Sequence, residues 1–257
     1  MRATRALILT CLGVSALSAI VADGAQASEG PFFKIQGVGR LTTGSAAISV
    51  KQFSGQAFEA STIGKVICPT VKAATGSVIE GTTSKNSGKG KVTLEYSGCT
   101  VEENTAGCAV ENGSFSTKPL RLLLGYGAKA GTEGTGKLLT LFRPEGNEFA
   151  EIKTTGTCTP SNFRIENKAS CTPLCEGVIA QNLNGAEEPV EVGRNETEAT
   201  KNLLRFPPAA EEITTIFTEA GSLTERKSGL SSRGSQVKYK GFLELTLASG
   251  KTWGVFS

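Results

Sequence analysis

The chain is 257 residues long, 39% hydrophobic and 20% charged, with 31 glycines, seven cysteines and a formal net charge of +3. It has no histidine and its only aspartate is Asp23, which excludes Ser-His-Asp triads, Cys-His pairs, His-ligated zinc and two-His-one-carboxylate iron. Nucleic-acid binding by phosphate neutralisation needs a concentrated basic patch, whereas the basic residues here are scattered.

Arg2 and Arg5 open the chain, and an uncharged stretch from Ala6 to Ala22 follows, beginning with the apolar run Ala6-Leu7-Ile8-Leu9. Ala25-Gln26-Ala27 then supplies the small-residue pattern that signal peptidase reads. The expectation is a signal-peptide helix over residues 1–27, cleaved between Ala27 and Ser28. Gly13, Ser15 and Ser18 interrupt the apolar stretch and no basic cluster follows it, so a permanent transmembrane anchor is not expected. Cleavage removes Arg2, Arg5 and Asp23, leaving 25 basic and 23 acidic side chains and a net charge of +2. It also removes Cys11. The even set that remains, Cys68, Cys99, Cys108, Cys158, Cys171 and Cys175, reads as up to three disulfides formed in an oxidising compartment. Only Cys171 and Cys175 have the spacing of a zinc-ligand pair and no histidine completes it, so neither metal nor cofactor is expected. Six cysteines allow fifteen pairings, which spacing alone does not resolve. Short loops would pair Cys99 with Cys108 and Cys171 with Cys175, leaving Cys68 for Cys158.

From residue 28 onward the chain reads as short apolar or alternating runs between clusters of Gly, Ser, Thr and Asn. Strands are expected over Phe32 to Val38, Ala46 to Phe53, Lys65 to Cys68 and Lys91 to Ser97. The last of these, Lys91-Val92-Thr93-Leu94-Glu95-Tyr96, alternates with period two, the mark of a half-buried strand. The basic cluster Lys85 to Lys91 that overlaps it is rich in Gly and Ser and reads as a solvated loop. Further strands are expected over Lys137 to Arg143, Glu148 to Thr154, Asn162 to Glu166 and Gly177 to Gln181. Asn182 to Arg205 loses the pattern and reads as a long loop or short helix. After the Pro207-Pro208 pair, strands resume over Glu212 to Thr218, Gln236 to Leu247 and Thr252 to Phe256. The fold expected is all-β, an antiparallel sandwich or barrel with disulfides. Residues 28–257 are expected to make one β-rich extracellular domain, with residue 185 as the place where a subdivision would fall.

Several motifs have plainer readings. Gly131-Thr132-Glu133-Gly134-Thr135-Gly136-Lys137 matches the opening of a P-loop, but Leu138 stands where Ser or Thr would bind magnesium, and a strand follows instead of a helix. Asn112-Gly113-Ser114 and Asn195-Glu196-Thr197 are glycosylation sequons in turn-like surroundings. Trp253, the only tryptophan, is either a sugar-stacking platform or, more commonly for a lone Trp in a terminal strand, a core plug. Among acids, Glu95, Glu148 and Glu151 lie in strand-like runs and are the candidates for a two-carboxylate glycosidase. Glutamate at alternate strand positions is ordinarily the solvated face.

The run Tyr96-Ser97-Gly98-Cys99, then Cys108, Gly113-Ser114-Phe115-Ser116-Thr117-Lys118-Pro119-Leu120, Leu124-Gly125-Tyr126 and Gly177-Val178-Ile179, resembles a group of secreted proteins of high-GC soil actinobacteria for which no activity is established. The resemblance spans residues 60 to 185, with Cys171 and Cys175 as departures from it. It implies an extracytoplasmic location and a β-rich, disulfide-bonded fold, and supplies no site. The function expected is that of a secreted, non-enzymatic binding or structural module at the cell surface, with a cell-wall or glycan surface as partner. The alternative is a glutamate-dependent glycan-cleaving enzyme.

Overall fold

A computed structural model describes residues 30–61, 64–83, 86–102, 107–127, 136–159, 161–169, 175–206, 215–217 and 225–257. The signal segment with its Ala27/Ser28 junction, Gly131 to Thr135, Cys171 and the Pro207-Pro208 pair lie outside the described residues. In chain order the strands are β1 (Phe32–Ile35), β2 (Gly39–Arg40), β3 (Ser45–Ala60), β4 (Gly64–Cys68), β5 (Thr70–Ala73) and β6 (Val78–Glu80). Next come β7 (Lys89–Val92), β8 (Leu94–Ser97), β9 (Thr100–Glu102), β10 (Cys108–Val110), β11 (Ser114–Ser116) and β12 (Leu120–Gly127). The third group is β13 (Leu138–Pro144), β14 (Glu148–Gly156), β15 (Asn162–Asn167), β16 (Val178–Leu183) and β17 (Asn202–Phe206). The last is β18 (Thr215–Phe217), β19 (Glu225–Lys227), β20 (Leu230–Ser232), β21 (Ser235–Leu247) and β22 (Trp253–Phe256).

Eight of these strands close an antiparallel barrel in the order β12, β13, β16, β17, β21, β3, β6, β7 and back to β12. Alternation decides which residues fill it. Leu122, Leu124, Phe142, Leu204, Leu243, Leu245, Val50 and Ile79 are buried in one continuous core, while Lys51, Lys91 and Arg121 between them reach solvent. A barrel of eight strands is just wide enough for side chains to fill its interior. The small sheet β2–β1–β22 attaches to it at Trp253, whose carbonyl accepts from the Asn202 amide of β17 at 2.8 Å.

The 16-residue β3 and the 13-residue β21 are longer than the barrel needs. Their far halves continue into a second set of strands: β3 pairs there with β4 and, through Lys51, with β5, and β21 pairs with β20. The set extends through β15, β14 and β10 on one side, and through β5, β8 and β11 on the other. Where the two bodies meet, Phe58, Tyr96, Phe115, Phe149, Phe206 and Tyr239 pack ring on ring. The β3/β21 ladder shifts register on either side of Phe242, and the fully buried Gln56 fills the step. Its amide nitrogen donates to the Ser54 carbonyl at 3.1 Å and the Phe242 carbonyl at 2.8 Å.

Two disulfides differ from the expected pairings of Cys99 with Cys108 and Cys68 with Cys158. Cys68 bonds Cys99, with Cα atoms 4.1 Å apart, and Cys108 bonds Cys158, with Cα atoms 4.6 Å apart. Register is the reason. Ile67 pairs with Thr100 between β4 and β9, which brings Cys68 opposite Cys99, and Cys108 pairs with Gly156 between β10 and β14. Cys175 is also disulfide-bonded.

Two further expectations are corrected. The Lys85–Lys91 cluster is not a loop throughout, because Lys89 and Lys91 belong to β7 between β6 and β12. Gly88 and Gly90 there are buried, since a Cβ on Gly88 would press on Leu124 and Phe33 and one on Gly90 on the Val78 carbonyl. Asn182 to Arg205 contains the end of β16 and most of β17, which pair with each other across residue 185. The intervening turn is built on Asn184, whose Oδ1 accepts from the Ala186 and Glu188 amides at 2.9 and 3.0 Å. No helix among the described residues is long and apolar enough to cross a membrane.

Candidate functional site

Strand alternation settles where the sequence-derived acids point. Leu94 and Tyr96 face inward, so Glu95 faces out, where it meets Lys72 at 3.1 Å. Glu148 meets Lys118 at 3.2 Å. Glu151 stands cross-strand from Arg164, between the buried Ala150 and Ile152. Glu95 and Glu148 are thus each ion-paired, and Glu148 also stands cross-strand from Glu166. Trp253 is 2% exposed, which removes it as a sugar platform and leaves the core reading. The end of the P-loop-like motif runs into β13 at Leu138, with Lys137 in an isolated bridge to Glu191. Of the sequons, Asn112 sits exposed in a 3-10 turn at φ 54°, whereas the Asn195 side chain donates to the Pro189 carbonyl at 3.3 Å.

Three concavities stand out among the described residues. One of about 840 Å³ opens between Glu59, Ser61, Lys65, Ser235 and Lys238. Its charges are mostly spent, Glu59 on Lys240 and Lys65 on Glu102, both at 2.8 Å. A second, of about 290 Å³, lies over β5, β8 and β11 with the Lys72–Glu95 pair on its rim. The third, of about 460 Å³, is lined by Thr42, Thr82, Asn86, Ser87, Lys89 and Leu123. None of the three brings two carboxylates face to face, as glycoside hydrolysis requires. Among the described residues no group of three His, Cys, Asp or Glu is gathered to hold a metal ion.

Comparison with protein-family profiles, with curated proteins and with solved structures found no match.

The third concavity differs from the others in its walls. It is made by the chain leaving β2 and the connection from β6 to β7, with β7 and β12 as its floor. Gly81 allows the first two to touch, because any Cβ there would strike the Thr43 backbone. The connection is braced from within: Thr82 Oγ1 donates to the Asn86 carbonyl at 3.1 Å, and Asn86 Nδ2 donates to Thr83 Oγ1 at 3.1 Å. Ser87 is 7% exposed, and its buried hydroxyl has no hydrogen-bond partner among the described residues. Sequence reasoning missed this cleft because Thr42, Ser87 and Leu123 form no motif; barrel closure alone gathers them.

Proposed function

We propose that this protein is an exported, non-enzymatic β-domain that acts outside the cytoplasm as a binding or structural module at a cell surface. The observation that carries the reading is the oxidised state of its cysteines, with Cys68–Cys99 and Cys108–Cys158 stapling strands far apart in sequence. Such bonds form and persist in oxidising compartments. The Ala25-Gln26-Ala27 pattern supports the same compartment. The non-enzymatic part is supported by the three concavities, whose described linings each hold at most one glutamate.

The test is secretion of the full-length chain from an expressing host, followed by mass spectrometry of the product and incubation with cell walls and a glycan panel. The expected product begins at Ser28, carries no free thiol, is retained by at least one surface and releases no reducing sugar. Retention in the cytoplasm with free thiols would overturn the location. Release of reducing ends would overturn the non-enzymatic reading.

A further inference from the structure

We propose that the cleft lined by Thr42, Thr82, Asn86, Ser87, Lys89 and Leu123 binds a single sugar ring carrying one anionic group. The proposal rests on the surface-binding role above and deepens it by naming a site and a ligand class. At about 460 Å³ the cleft lies in the range of small-ligand sites. Among the described residues its polar groups are hydroxyls, an amide and one ammonium, with no carboxylate, which disfavours a metal ion and favours a ligand rich in oxygen.

Among the described residues the buried Ser87 hydroxyl has no partner, and a buried unpaired hydroxyl is destabilising until something bonds to it. Lys89 makes no ion pair among the described residues. Its cross-strand neighbour Glu80 is turned toward Lys91, at 3.8 Å. The ammonium is thus open to a ligand's charge, as a charge-assisted bond stronger than a neutral one. On the other side of Lys89 its register partner is Leu123, which gives the cleft an apolar wall. A pyranose presents both kinds of surface, hydroxyls at its edge and C–H groups on its face. Because Thr82 and Asn86 are already bonded within the connection, little ordering is needed on binding.

The anionic group has two chemical sources, a carboxylate or a phosphate ester, and the experiment separates them. The secreted protein, isotopically labelled, is titrated with glucuronate, glucose 6-phosphate, glucose and inorganic phosphate while its amide resonances are followed. Resonances of Thr82, Asn86 and Lys89 are expected to shift with the acidic sugars, and affinity for glucose is expected to be roughly tenfold weaker, as loss of one charge-assisted bond predicts. Lys89→Gln is expected to bring the acidic sugars down to the affinity of glucose. Ser87→Ala is expected to weaken every sugar, and Lys238→Gln, in the concavity beside Glu59 and Lys65, to change nothing. Lys89→Gln replaces an exposed side chain, so the test stands even if Ser87→Ala fails to fold.

Absence of shifts with any sugar overturns the proposal. So do wild-type affinities in both cleft variants, or inorganic phosphate acting as well as glucose 6-phosphate. A protein that holds to cell walls with both variants unaffected would lose the cleft and keep the role proposed above. Release of reducing ends would overturn that role whatever the variants do.

Discussion

Tyr96 and Tyr239 lie 143 positions apart and share one buried hydrogen bond, hydroxyl to hydroxyl at 2.9 Å. Phe58 touches both rings, with centroids 5.4 Å from Tyr96 and 4.6 Å from Tyr239. Burial pushes both hydroxyls well above the usual tyrosine range; the mutual bond partly offsets this for Tyr96, and the Tyr96 neighbour adds to it for Tyr239. Folding therefore favours the neutral form. That contribution is complete below the unfolded tyrosine pKa of about 10 and is lost as pH rises above it towards the folded values. Stability is expected to fall above about pH 10, and less steeply in a Tyr96→Phe/Tyr239→Phe protein. Denaturant melts across that range check it, and equal slopes would sink the idea. At neutral pH, Tyr239→Phe alone should cost about 1–3 kcal/mol because Tyr96 keeps an unpaired buried hydroxyl, and adding Tyr96→Phe should recover part of that loss. The inward position of Tyr96 was legible from its alternating run. Its partner was not, because nothing local in a sequence records which distant strand end meets it.

At the scale of elements, most expected strands exist, and the discrepancies have physical causes. Lys91 to Ser97 is two strands because the chain changes partner at Thr93: β7 pairs with β6 and β12, and β8 with β5 and β11. Periodicity is blind to such a handover, since burial alternates on through it. Strand β12 escaped the strand pattern because Leu123 breaks the alternation of Leu120, Leu122 and Leu124. Leu123 packs with Leu139, Leu141 and Ile179 in a separate apolar cluster, leaving β12 apolar on both faces. The irregularity of β3 was hidden for another reason. Gly241 has φ +136°, and a Cβ there would run into the Gln56 amide. Gly241→Ala should therefore destabilise by about 1–3 kcal/mol from backbone strain, with the clash against Gln56 in addition. Combining it with Gln56→Ala removes the clash but not the strain, so the double variant should lose less than the sum of the singles. Additive losses in chemical denaturation would count against the filled step.

For the whole molecule, fold class was legible because period-two runs and turn residues are local signals. The Cys68–Cys99 and Cys108–Cys158 pairings were not, because they follow strand register, and neither was the cleft, because Thr42, Ser87 and Leu123 meet only once β7 has paired with β6 and β12. The same closure runs across residue 185. β17 and β21 come after it, yet β21 sits between β17 and β3 in the barrel, and β22 pairs with β1. Cutting at 185 would remove two of the eight barrel strands and leave β16 and β3 with open edges. It would also take Tyr239 and Phe206 from the aromatic contact between the two bodies. Open apolar edges invite association, and a broken core does not pack. A secreted chain stopped after Gly185 is therefore expected to be unfolded or aggregated, with collapsed amide dispersion, while the full chain melts in one transition. A well-dispersed, monomeric fragment would show that the first part folds alone. In that case β21 would be an addition to a finished body, and the shared β3/β21 ribbon would no longer explain how the two bodies hold together.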